Sequence, residues 1–138
     1  MQAVTVNYLA ILLCGVVSMV LGSLWYGPLF GKMWMSLSGV SMGGEKKSMT
    51  KSYLIAFVGA LIMAFVLAHA LVFAAAYLKA SGVSGGLMAG FWNWLGFVAP
   101  VTLGMVLWEG KSWKLWTLVN GYHLVQLLIF GVILSLWK

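Results

Sequence analysis

The chain has 138 residues, of which 63% are hydrophobic and 7% charged, with a formal net charge of +6 and a mean hydropathy of +1.03. That composition excludes a soluble globular domain. Four stretches, residues 1–31, 52–78, 80–108 and 115–137, carry no charged side chain, and each is long enough to cross a ~30 Å hydrocarbon core, which takes about 20 helical residues.

These stretches predict an all-α, polytopic integral membrane protein: one transmembrane domain over residues 1–138 with spans near 4–25, 53–78, 87–107 and 115–137. The N-terminus has neither the basic leader nor the small-residue cleavage site of a signal peptide, so residues 4–24 are expected to persist as the first span. Along it Asn7, Cys14, Ser18 and Gly22 share a stripe flanked by Gly15, a face suited to close helix packing. Cys14 is the only cysteine, which excludes an intrachain disulfide and a cysteine-built zinc site and leaves it as a small packing residue.

The first connection opens with Trp25, Tyr26, Gly27, Pro28, Leu29, Phe30, Gly31, Lys32, Met33 and Trp34. Pro28 disfavours a helical Gly27, so the first helix is expected to break there. Residues 30–42 stay apolar and aromatic with a single lysine, which predicts a segment lying along the interface. Residues 43–47 form the water-exposed piece, and residues 81–86, rich in serine and glycine, read as a tight turn between the second and third spans.

In the third span Gly86, Gly90, Asn93, Phe97, Pro100 and Gly104 fall near one side of the cylinder at ~100° per residue. This too reads as a packing face first. Pro100 cannot donate to the carbonyl of Gly96, so a mid-membrane kink is expected, with the Thr102 hydroxyl available to relieve it.

All eight basic residues are lysines, so no bidentate guanidinium fork is present. Lys32, Lys46, Lys47, Lys51, Lys111 and Lys114 flank one set of span ends, and Lys79 and Lys138 the other. Six against two satisfies the positive-inside rule with both termini outside a cell (inner) membrane. The lysines mark membrane edges instead of forming a patch, which argues against a nucleic-acid partner and leaves the lipid bilayer as the expected one. Trp25, Tyr26, Trp34, Tyr53, Trp108, Trp113 and Trp116 cluster near the inner boundary, and Tyr8, Tyr77, Trp92, Trp94 and Trp137 near the outer one, as interfacial aromatics do.

The polar residues inside the spans are His69, Asn120, His123 and Gln126. Such groups are expensive in hydrocarbon and normally face the bundle with a partner. At ~1.5 Å per residue His69 lies roughly 6 Å to the outer side of the midplane, level with Asn93, and His123 roughly 5 Å to the inner side. The two histidines are then about 10 Å apart in depth, too far for one metal ion or haem iron. Two readings stay open: interhelical glue, or a polar path from Asn7, His69 and Asn93 through Cys14 and Gln126 to Ser18, His123 and Asn120. A haem, metal or quinone site on His69 or His123 is the third reading, and no cofactor is expected.

Neither acid, Glu45 or Glu109, lies near a histidine in this arrangement, aspartate and arginine are missing, and the glycine-rich turns follow no strand, so no enzyme is expected. The Trp25-to-Trp34 motif, Ala68-His69, the Gly90-Phe91-Trp92-x-Trp94-Leu95-Gly96-Phe97 run and Asn120-Gly121-Tyr122-His123-Leu124 resemble the bacterial and archaeal membrane-protein family called domain of unknown function 1761. The resemblance implies a small four-helix membrane protein and supplies no activity. The expected function is a homo-oligomeric channel- or transporter-like protein using His69, Asn93, Asn120 and His123, self-associating because one protomer offers few helices to bury both small-residue stripes. The alternative is an accessory subunit that binds a partner protein or a lipid.

Overall fold

The computed structural model describes residues 4–39, 49–79 and 81–137. Glu45, Lys46 and Lys47 of the expected water-exposed loop, and Lys138, lie outside the described residues.

Helix α1 (Tyr8–Leu24) starts where Asn7 leaves helical geometry and its Oδ1 accepts from the backbone N–H of Leu9 and Ala10 at 3.0 and 3.2 Å. An asparagine cap satisfies orphan donors that hydrocarbon would leave unpaired. The helix therefore begins four residues later than expected, and Asn7 is a cap before it is anything else.

The expected break falls at Gly27, whose backbone sits at φ −111°, ψ −107° inside a wide turn over Trp25–Leu29. Phe30 closes the turn by donating to the Trp25 carbonyl at 2.9 Å. A Cβ on Gly31 would stand 2.6 Å from the Tyr26 carbonyl oxygen, so only glycine lets the chain double back this tightly. Helix α2 (Gly31–Ser38) follows and ends at Gly39 in the left-handed region, φ +77°. It exposes Lys32, Met33 and Ser36 and half-buries Trp34, the pattern of an interfacial segment.

Helix α3 (Met49–Leu78) and helix α7 (Trp113–Leu136) are continuous. The third span is not. It consists of α4 (Gly82–Asn93), a wide π-type turn (Trp94–Val98), α5 (Ala99–Thr102) and α6 (Gly104–Leu107). The widened turn ends two residues before Pro100, and the Thr102 hydroxyl oxygen lies 2.9 and 3.2 Å from the carbonyls of Val98 and Ala99. The proline distorts the helix as expected, and the Thr102 hydroxyl stands against the Val98 and Ala99 carbonyls, not against that of Gly96.

Four spans emerge, Tyr8–Leu29, Thr50–Leu78, Gly82–Leu107 and Trp113–Leu136, each long and apolar enough to cross a membrane. The tight turn expected over residues 81–86 is corrected: residues from Gly82 onward are helical. Glycine pairs signal turns in a sequence, but Gly86 serves close packing. Its Cβ, were there one, would collide with the carbonyl of Gly131, and one on Gly90 would stand 2.5 Å from the Leu127 carbonyl oxygen. The third span and α7 thus touch backbone to backbone.

A second intimate pair joins α1 and α3, where a Cβ on Gly15 would stand 2.7 Å from Leu61 and 2.9 Å from Phe57. Gly22 faces the Tyr122 hydroxyl, 3.2 Å from its ideal Cβ, while Gly104 has only Trp108 within reach. The α1 stripe and the Gly86–Gly90 part of the third-span stripe therefore find partners inside the chain, while Phe97 stays 75% exposed and Gly104 meets only its own span. Between the two pairs lies a closed apolar layer in which Ala10, Cys14, Ala64 and Phe130 are each 0% exposed.

Candidate functional site

Two polar knots tie the helix pairs together. In the first, Gln126 Nε2 donates to Ser18 Oγ at 2.5 Å, and the Tyr122 hydroxyl donates to the Ser18 carbonyl at 3.3 Å. Gln126 Oε1 is left facing His123 Nδ1 at 3.3 Å. An amide oxygen only accepts, so in this contact His123 Nδ1 is the donor. Ser18 and Gln126 are each 4% exposed.

The second knot centres on Asn120, 0% exposed. Its Oδ1 accepts from Thr102 Oγ1 at 2.7 Å, its Nδ2 donates to the Trp116 carbonyl at 3.0 Å, and its backbone carbonyl accepts from Trp94 Nε1 at 2.9 Å. Trp94 and Thr102 stand on either side of the distorted stretch that contains Pro100. The Asn120 side-chain amide thereby holds the Thr102 flank to α7 and its backbone carbonyl the Trp94 flank, with the ~0.6 kcal/mol typical of each such bond in a membrane.

The interfacial motif is a clasp on the same helix. Trp25 Nε1 donates to the Leu118 carbonyl at 3.1 Å, its ring lies 4.7 Å from Phe30 and 6.2 Å from Tyr122, and a Cβ on Gly121 would come within 3.4 Å of that ring. Tyr26 meets Trp34 edge-on at 5.4 Å and Tyr122 at 5.3 Å. The four consecutive residues from Asn120 to His123 thus serve four different partners: Thr102, Trp25, Ser18 and Gln126.

His69 and Asn93 join neither knot. His69 Nδ1 lies 2.8 Å from the Phe65 carbonyl one turn back, with its ring 4.4 Å from the Phe65 ring, and Asn93 Nδ2 donates to the Ala89 carbonyl at 2.8 Å. Asn7 Nδ2 reaches the Trp137 carbonyl at 3.4 Å. The single polar path expected from the sequence is therefore corrected to separate pieces: Asn7 at one end, His69 and Asn93 bonded within their own helices, and the two knots beyond the apolar layer that holds Cys14 and Phe130. For His69 and Asn93 a carbonyl one turn back on the same helix takes the place of a partner on another span. Among the described residues no three His, Cys, Asp or Glu side chains converge.

A hollow of about 470 Å³ opens at the Asn7 end of the bundle. Ala68, Leu71 and Ala75 of α3 and Leu134 of α7 make its apolar wall, and Thr5, Asn7, Ser81 and Ser135 supply polar atoms at its rim. Gly82, Gly85 and Gly86 line its far side, so the hollow exists where two spans present their smallest residues. Sequence reasoning missed Thr5, Ala75, Ser81 and Ser135. The usable signal was the alanine run at 74–76 opposite the glycines that read as a turn. A second hollow of about 410 Å³ lies deeper, lined by Ile62, Met63 and Val66 of α3 and by Asn93 and Phe97 of the third span.

No curated protein and no solved structure matches this chain. The family described as Protein of unknown function (DUF1761) matches over residues 9–135. That match takes in all four spans, the Trp25 clasp and both polar knots, and the chain belongs to this family.

Proposed function

We propose that this protein is a non-catalytic, membrane-embedded binding protein that takes a lipid-like amphiphile at the Asn7 end, with each histidine bonded within its own helix. The observation that carries the reading is the hollow there. A cavity of about 470 Å³ with an apolar wall and a rim of Thr5, Asn7, Ser81 and Ser135 suits a molecule with a polar head and an apolar body, and its volume lies in the range of small-molecule sites. Mass spectrometry of the purified protein should find a co-purifying amphiphile, and Ala75→Trp, which fills the wall, should remove it. Equal amounts of that molecule with both proteins would sink the reading.

Proton or ion conduction is the second reading, favoured by the Ser18–Gln126–His123 knot. The closed layer around Phe130 weighs against it, since conduction needs polar groups or water across the whole span. Liposomes carrying wild type, His69→Gln or His123→Gln should leak no more than empty ones. Flux through wild type that His123→Gln abolishes would put conduction in front.

The orientation in an inner membrane follows the lysines. Lys32, Lys51, Lys111 and Lys114 are exposed at one end and Lys79 at the other, which supports a cytoplasmic lysine-rich end and both termini outside. Reporters fused to each terminus should be active only outside; a cytoplasmic signal from either reverses the orientation.

A further inference from the structure

The two hollows are separate, and both take walls from α3, the third span and α7. On α3 the upper one is lined from Ala68 to Ala75 and the lower one from Ile62 to Leu67; on the third span the linings run from Gly82 to Gly86 and from Asn93 to Val98. From Ile62 to Ala75 is about 20 Å of helix at ~1.5 Å per residue, some two thirds of a ~30 Å hydrocarbon core. The polar atoms of the upper hollow sit at the span ends, and Asn93, whose Nδ2 is already bonded to the Ala89 carbonyl, is the one polar side chain of the lower. No charged residue lines either hollow among the described residues. Val66 is 58% and Phe97 75% exposed, so the lower hollow opens sideways to lipid.

We infer that the crevice between α3 and the third span holds one acyl lipid, its uncharged polar head in the upper hollow and its chain running down the lower one past Val66 and Phe97. This rests on the reading of the upper hollow as an amphiphile site and adds the class of ligand and its route of entry. The Thr5 and Ser81 hydroxyls can exchange hydrogen bonds with a hydroxyl-bearing head, and the Ser135 hydroxyl, which donates to the Val132 carbonyl, can accept one. A head with net charge would be taken out of water with no counter-ion in the lining, which is costly. The chain enters from the bilayer without leaving hydrocarbon, so no aqueous passage is needed.

The full-length protein in lipid nanodiscs tests this with two probes: a long-chain monoacylglycerol carrying a photoreactive diazirine near the chain end, and its short-chain counterpart labelled near the head. The long probe should label peptides containing residues 62–67 and 93–98. Ala75→Trp should lower labelling by both probes by about tenfold, the equivalent of ~1.4 kcal/mol. Val66→Trp, at an exposed site, should lower labelling by the long probe alone, with Phe97→Trp from the opposite wall repeating the result should Val66→Trp fail to fold. Ala75→Trp effective against both probes while Val66→Trp and Phe97→Trp leave the long one unchanged overturns the crevice and leaves the upper site standing. Labelling indifferent to all three variants means ordinary boundary lipid and overturns both. A two-chain mass that Val66→Trp reduces to one means a second copy covers the crevice and overturns the acyl occupant.

Discussion

Placing leucine at Gly86 should leave no folded protein. The third span and α7 meet at Gly86 and Gly131 with each backbone in the space where the other's side chain would begin. Relief of such a collision requires moving a helix, because the obstacle is a carbonyl and not the tip of a flexible side chain. Even Gly86→Ala or Gly131→Ala should cost more than the ~1–3 kcal/mol typical of overpacking a core. The loss has no hydrophobic compensation, since lipid tails are as apolar as the groups they replace and dispersion contacts supply most of the helix attraction. Gly59 offers the control: nothing lies within 4 Å of its ideal Cβ, so Gly59→Ala should be neutral or gain up to ~1 kcal/mol from helix propensity. Unfolding in mild detergent, followed by circular dichroism against heat or SDS, ranks the variants. A Gly86→Leu protein as stable as wild type would mean the two spans do not approach this closely.

Truncating Phe130 should produce the next largest loss, about 3 kcal/mol, at the low end of the range for removing a buried aromatic. Phe130 is 0% exposed and belongs to the core cluster with Ala10, Cys14, Ala64 and Leu134, so its removal leaves a void that these small neighbours cannot fill. The void would also thin the layer between the hollow at the Asn7 end and the Ser18–Gln126 knot. Phe130→Ala should therefore raise proton leak in liposomes above the wild-type background while Phe130→Leu, nearer the native volume, should not. Equal leak from both variants and wild type, with stability unchanged, would show that Phe130 does not close the bundle.

Much of the architecture was legible before any coordinates. Hydrocarbon demands about 20 apolar residues per helix and satisfied backbone groups, so charge-free stretches alone mark the four spans. Gly27-Pro28 marks the break because a proline restricts the residue before it wherever it stands. Pro100 is legible for the same reason: its missing N–H disturbs the turn before it whatever its neighbours. These are local properties.

The tertiary structure decided what depends on which surfaces meet. Helical periodicity places Gly86 and Gly90 on one face but cannot name the helix opposite, and that helix is α7 of the same chain. Gly86 reads as a turn residue because glycine favours turns and close helix contacts alike; only the neighbouring backbone of Gly131 tells the two apart. His69 and His123 both bond within their own helices, but the Gln126 that His123 meets reaches Ser18 on α1, a difference of direction that depth along the span does not contain. The hollow was hidden altogether, because an empty volume is made by residues too small to fill it, and alanine and glycine announce a cavity only when two helices bring them face to face.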